Sequence, residues 1–404
     1  MTKQIVVIGA GQAAASFAAK LRSLDQTSKV TIIGDEPSHP YQRPPLSKKY
    51  LSGEMESERL LLRPETWYAE NAVEVRTGIR AEMIDRAEKS VKLSSGETIA
   101  YDQLVLTTGS AARNLPDALT GGANNVYTVR NLADVEAMRA EFIEGRKLVV
   151  IGGGYIGLEA AAIARKFSVE VTLVEAAPRI LGRVASEKTA DFIRNLHTSH
   201  GVKIIEGIGV ASMENTGGKI STVVLENGDE IAADFVIAGI GIIPGSALAE
   251  AAGLDCDQGI LVDENSRTSD KDIFAAGDCA RFFYQGNLIR LESVQNAIDQ
   301  AENVALSVVS QLEPYVPKPW FWSDQYDITL QIAGLNFGYD DTVVRAGSSD
   351  TTQSVWYYQG DQLISVDAMN EPRAYMIGKR IIESGKNLPK DVVVDPDSNL
   401  KEWM

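Results

Sequence analysis

Cysteine is nearly missing from this chain: 404 residues hold two, Cys256 and Cys279, beside three histidines. An iron–sulfur cluster usually takes four thiolates, so the chain carries none of its own, and a four-cysteine zinc site is excluded by the same scarcity. No C-x-x-C occurs, which removes chemistry that runs through a vicinal dithiol. Positive charge is short as well, with 39 Lys plus Arg against 55 Asp plus Glu and a net charge of −16. Such a surface argues against nucleic acid, whose phosphates need cations, and against an anionic membrane surface. Long hydrophobic runs are absent too. The stretch 235–243 is the longest suggestive one, and it falls well short of the roughly eighteen residues that span a bilayer. The chain enters an apolar run at Ile5 directly, which leaves no room for a signal peptide. A reduced, cytoplasmic protein is the expectation.

What is present is a globular composition, 44% hydrophobic and 23% charged, long enough for two to three domains at roughly 150 residues each. Its most informative feature is an internal echo. Residues 6–11 read VVIGAG and residues 149–154 read VVIGGG. Each copy is a β-branched run, a glycine turn and an Ala-rich helical stretch (12–24 and 155–167), followed by a second apolar run (29–33 and 170–174). Strand–turn–helix–strand, twice, predicts two parallel crossover units, and hence two dinucleotide-binding domains.

In the first copy Gly9, Gly11 and Ala14 form G-x-G-x-x-A. The first glycine permits the tight turn, the second lets the backbone approach a pyrophosphate, and the alanine allows close helix–strand packing. The unpaired N–H groups of the helix start then face the phosphates. Asp35, just past the next strand, is placed to accept from a ribose. Gly152, Gly154 and Gly157 repeat the pattern, and Glu175 ends the matching strand. A carboxylate there accepts from a 2′-hydroxyl and repels a 2′-phosphate, which favours NADH over NADPH. Two different dinucleotides make sense of two sites, and FAD with a nicotinamide is the economical pairing.

Hairpins are predicted at 91–100 and at 220–235, the second across the Asn227-Gly228 pair. Pro314, Pro317 and Pro319 mark a linker. Beyond it, alternating runs at 327–332, 354–358 and 362–368 and a helix at 371–384 predict a small sheet-plus-helix domain. A helical stripe from Val294 to Val308 has Ser293 as its N-cap. His197 and His200 share a helix at i, i+3 and read as polar surface, with no metal assigned.

At this point the sequence resembles the FAD-dependent pyridine-nucleotide oxidoreductases, and within them the ferredoxin reductases of bacterial oxygenase systems. The likeness covers essentially the whole chain. It rests on the two glycine turns, on 43–48 (RPPLSK), on Thr108-Gly109, on Glu159 after the second turn, and on 273–279 (IFAAGDC). The resemblance implies an α/β fold: two Rossmann-like domains plus a C-terminal α+β domain, in a glutathione-reductase-like architecture. The FAD domain would be 1–112 with 241–316, the NAD domain 113–240 and the C-terminal domain 317–404.

The same resemblance implies roles. Ala14 and Asp35 would lie at the ADP half of FAD. Lys48, Ala81, Arg130, Asp278 and Val294 would contact other parts of it, and Pro45 would pack beside its ring. Lys48 and Glu159 would pair where hydride arrives, and Trp320 would lie near the flavin. Residues 38–52 hold no cysteine, so electrons would leave the flavin directly, singly, to a [2Fe–2S] ferredoxin that feeds a cytochrome P-450 monooxygenase or a ring-hydroxylating dioxygenase. A monodehydroascorbate-reductase-like enzyme and an NADH-sensing protein like apoptosis-inducing factor share the scaffold and stay open as alternatives.

Overall fold

The computed structural model describes residues 2–404. Contacts divide the chain into two compact, discontinuous units. The first comprises residues up to Arg43, Glu56–Ala111 and Ile242–Pro319. The second comprises Pro44–Met55, Ala112–Gly241 and Trp320–Met404.

The first unit is built on a parallel sheet with spatial order Ile273–Ala275, Gln103–Leu106, Gln4–Ile8, Lys29–Ile33, Val73–Arg76. Its central strand is buried on both faces, as parallel strands are. Ile5 and Val7 pack with helices Gln12–Leu24 and Val294–Val308, while Val6 and Ile8 pack on the opposite side with Ile84, Val91 and Leu93. Small residues (Ala14, Ala18, Ala297, Ala301) fill the core that the two helices share, and let them approach closely.

The second unit carries another parallel sheet, in the order Lys203–Glu206, Glu170–Glu175, Lys147–Ile151, Phe235–Ala238, Val126–Tyr127. Its C-terminal part is an antiparallel sheet, Trp320–Gln325, Ile328–Gly334, Gln362–Met369, Gln353–Gln359, Asp341–Ala346. Helix Pro372–Glu383 covers it through Ala374, Tyr375, Ile377 and Ile381.

Two sequence expectations need correction. The second hairpin does not run through to Phe235. Its return strand stops at Ala232, and Phe235–Ala238 is a separate strand of the parallel sheet. The switch occurs at Asp234, whose carboxylate accepts the Lys147 N–H at 2.7 Å and whose carbonyl accepts from Asn125 at 2.8 Å. His197 is not surface either: it is fully buried. Among the described residues, no helix is long and apolar enough to cross a membrane.

Two buried groups of the second unit give opposite pH dependences. Asp367 Oδ2 accepts from Thr189 at 2.7 Å and from the Tyr357 hydroxyl, while Oδ1 is buried with no partner. Burial raises its pKa to about 6, against the pull of those two hydrogen bonds. Burial lowers that of His197 to about 4. An acid raised above its unfolded value of about 3.9 costs stability as pH rises from about 4 to 6. A histidine depressed below about 6.5 costs stability as pH falls from about 6.5 to 4. In the parent the two slopes offset each other. Asp367→Asn removes only the first, so its unfolding free energy in urea should drop by about 2 kcal/mol more than the parent's between roughly pH 6 and 4.5. Parallel pH profiles would contradict the assignment.

Candidate active site

In the first unit Gly9 adopts a φ of 104°, and a Cβ there would lie 2.2 Å from the Thr107 carbonyl oxygen. Only glycine can occupy that turn. Gly11 is the N-cap of helix Gln12–Leu24. It offers no side chain to the first N–H groups, and a Cβ on it would meet nothing within 4 Å. Side chains cap only some of the other α-helices, at Asn131, Ser186 and Ser293, whereas Gly11 has no side chain to cap with. With no side chain in the way, this helix start offers its first N–H groups to an anion such as a pyrophosphate. Ala14 is fully buried behind it.

Gly277, at φ 80°, lies against Ala13 and Ala297, so the first turns of both helices converge on it. Its N–H donates to Gln300 at 2.9 Å. Asp278 follows directly and accepts from Ser110 at 2.8 Å. Val294 opens the second of these helices, whose Ser293 cap accepts from Asn296 at 3.1 Å. The structure thus brings Gly11, Ala14, Asp278 and Val294 to one end of the sheet.

Asp35 is exposed, with Arg80 at 3.5 Å. Its neighbour Glu36 is the more engaged carboxylate, accepting from Arg43 and from the Tyr41 hydroxyl, both at 2.5 Å. Sequence reading passed over Glu36 because two adjacent acids end the strand and periodicity does not choose between them. Ala81 is half-buried at the start of strand Ala81–Asp85.

In the second unit Gly152 repeats the φ of Gly9, at 103°, and its Cβ would meet the Gly239 carbonyl oxygen at 2.4 Å. A Cβ on Gly157 would lie 2.1 Å from the Gly152 carbonyl oxygen. Gly154 caps helix Tyr155–Lys166 without a side-chain bond, and open space surrounds it. Glu175 accepts from the N–H groups of Gly153 at 2.6 Å and Ala177 at 2.7 Å, so it also pins the glycine turn. Arg179, the nearest downstream cation, donates to the Ala185 carbonyl at 2.7 Å. Arg130 lies just before helix Leu132–Met138, its N–H donating to Asp134 at 2.8 Å.

Glu159, on the same helix as Tyr155, is the centre of a polar cluster although only 4% exposed. Lys48 Nζ donates to its Oε2 at 2.7 Å, and the Ser47 hydroxyl donates to the same oxygen at 2.5 Å. The Ser323 hydroxyl donates to Oε1 at 2.7 Å. Lys48 follows the short turn Pro44–Ser47, which contains Pro45. These donors satisfy a carboxylate that burial has removed from water. Ser47 lies inside the RPPLSK segment, but nothing in that segment assigns its hydroxyl a partner, and Ser323 is distant in the chain and belongs to no motif. Trp320 is half-buried, with its ring 5.6 Å from that of Trp322 and the Lys379 ammonium 5.8 Å from its centroid. Tyr155 packs its ring 4.9 Å from that of Phe321, and its hydroxyl is buried without a partner.

The thiols lie apart from this chemistry. Cys279 is buried, and burial pushes the Cys256 thiol up to about 11, so neither is an activated nucleophile.

Two family models cover the chain: pyridine nucleotide-disulphide oxidoreductase over residues 3–301, and reductase C-terminal over residues 320–404. The chain belongs to the pyridine nucleotide-disulphide oxidoreductase family. Putidaredoxin reductase of Pseudomonas putida is 41% identical, over 98% of this chain and 96% of that one. The ferredoxin–NAD(+) reductase component of the Burkholderia cepacia anthranilate 1,2-dioxygenase system is 36% identical, over 99% and 98%. The crystal structure of a covalent putidaredoxin reductase–putidaredoxin complex superposes with a TM-score of 0.96 at 40% identity, covering 99% of this chain and 98% of that one. Members of this family use FAD with NADH or NADPH, and the open helix ends at Gly11 and Gly154 fit two such dinucleotides. Despite the family's name, this member has no reactive thiol pair.

Proposed function

We propose that the chain is an NADH-dependent ferredoxin reductase: it takes up FAD in the first unit and NADH in the second, and delivers single electrons to a [2Fe–2S] ferredoxin serving a P-450 monooxygenase or ring-hydroxylating dioxygenase. The observation that carries it is a pair of uncapped glycine-turn helices in a chain whose two thiols are unreactive. When bound, FAD supplies the conversion between a two-electron donor and a one-electron acceptor.

The protein's own residues bind and orient. Gly11 and Gly277 would admit the cofactor's phosphates and ribityl chain, Asp278 and Asp35 would accept from its hydroxyls, Ala81 and, by family likeness, Arg130 would contact other parts, and the helix start at Val294 would supply positive dipole. Gly154 admits the NADH pyrophosphate. Lys48, fixed by Glu159, would present an ammonium at the hydride site, and Pro45 and Trp320 would pack beside the flavin ring. A cytoplasmic location suits a chain that keeps both thiols free.

Glu175 sets the choice of nucleotide. Glu175→Gln keeps the size and one acceptor but loses the charge. The kcat/KM for NADH should fall about tenfold, as for one charged hydrogen bond, while that for NADPH holds or rises. An equal fall for both would place Glu175 in turn stability alone. The broader test is anaerobic mixing of the NADH-reduced holoenzyme with a panel of [2Fe–2S] proteins. Rapid reoxidation by at least one supports the reading. Flavin that stays reduced with all of them, or is reoxidised only by a small organic radical, overturns it.

A further inference from the structure

The contacts of Glu159 do not end at Ser323. Ser323, fully buried, accepts from Gln325 Nε2 at 3.1 Å. Gln325, 1% exposed, has its Oε1 2.7 Å from His197 Nε2. The other ring nitrogen of His197, Nδ1, lies 3.4 Å from the Tyr326 hydroxyl, and the Tyr326 ring stacks on His200 at 3.8 Å. A continuous polar line thus runs through three buried side chains, from the carboxylate on helix Tyr155–Lys166 to helix Glu187–Ser199.

Chemistry fixes the direction of this line. An ionised carboxylate only accepts, so Ser323 donates to it. Ser323 must then accept from Gln325, which requires the amide nitrogen to face the serine and the amide oxygen to face the histidine. His197 therefore carries its hydrogen on Nε2 and accepts at Nδ1. Burial keeps its ring neutral, with its pKa lowered to about 4, and the titratable groups facing it are Tyr326 and His200. A carboxamide passes no proton without tautomerising, so the line holds groups in place and does not conduct.

We propose that His197 and Gln325 are positioning residues, forming a one-way donor chain that fixes the Ser323 hydroxyl on Glu159 and so fixes the Glu159–Lys48 pair. This rests on the reading that the pair serves the hydride site.

Two readouts on the holoenzyme test it. With ¹⁵N-labelled histidine, His197 should show the Nε2–H tautomer and remain neutral from about pH 5.5 to 8; Gln325→Met should abolish that fixed tautomer. In stopped flow, NADH reduction of the flavin should slow about tenfold in Gln325→Met and His197→Leu, the worth of one hydrogen bond to a charged group. It should stay within about twofold of the parent in His197→Gln, which retains a donor, even though melting temperature falls in all three. An Nδ1–H tautomer, or equal slowing in His197→Gln and His197→Leu, overturns the proposal. Should an apolar variant not fold, the parent's tautomer and the rate of His197→Gln still decide. Glu159→Gln is the reference. If it slows reduction while Gln325→Met and His197→Leu do not, the donor chain alone is wrong. If Glu159→Gln leaves the rate unchanged, the hydride-site reading is wrong and the proposal goes with it.

Discussion

Replacing Gly154 by aspartate should leave the protein yellow and at least as stable as the parent, yet raise its KM for NADH by about two orders of magnitude. The separation of the two effects is what makes the variant useful. Gly154 has extended backbone at φ −81° and ψ 176°, and a Cβ there meets nothing within 4 Å. An aspartate fits this N-cap position and accepts from the free N–H groups behind it, worth a few tenths of a kcal/mol over glycine. The same carboxylate would then fill the space proposed for the NADH pyrophosphate and cancel the positive helix end. Flavin content should not change, because FAD is proposed to bind at the other glycine turn. Unaltered NADH affinity in a folded, flavin-replete Gly154→Asp protein would remove the nucleotide from this turn.

The second large effect concerns Lys48 and Glu159, and it is non-additive. The two side chains are 16% and 5% exposed and meet at 2.7 Å. Removing one partner of such a pair leaves a charge buried and unmatched, which costs roughly 3 kcal/mol or more. Removing both costs far less. Lys48→Met and Glu159→Gln should therefore each slow flavin reduction by about fiftyfold and lower the melting temperature. The double variant should regain most of the stability and be no slower than the worse single variant. Losses that simply multiply would show that the two residues act independently and that the contact has no role in the hydride step.

How much of this was legible in the sequence depends on the kind of signal. The glycine turns were legible because their requirement is local: a positive φ at Gly9 and Gly152, and no side chain at Gly11 and Gly154, sit at fixed offsets from a β-branched run. Helices Gln12–Leu24, Val294–Val308 and Pro372–Glu383 were legible through periodicity and, for the second, its serine cap. Strand Trp320–Gln325 was not, because its three consecutive aromatic residues mask the alternation. The broken hairpin at Asp234 hid behind a continuous apolar run whose two halves join different sheets. The meeting of Ser47, Ser323, Gln325 and His197 was not legible for a further reason. Each is an ordinary polar residue until the fold gathers it around a buried carboxylate, and no spacing in the chain records that meeting. Lys48 and Glu159 stood out only through family likeness.

The most direct measurement is a single anaerobic titration of the purified protein with NADH, followed by an oxidised [2Fe–2S] ferredoxin, recorded as absorbance spectra. A yellow protein should bleach with one equivalent of NADH per flavin and regain its colour as about two equivalents of ferredoxin become reduced, one electron each. A colourless protein that takes up no FAD, or a bleached one that no ferredoxin reoxidises, would contradict the assignment.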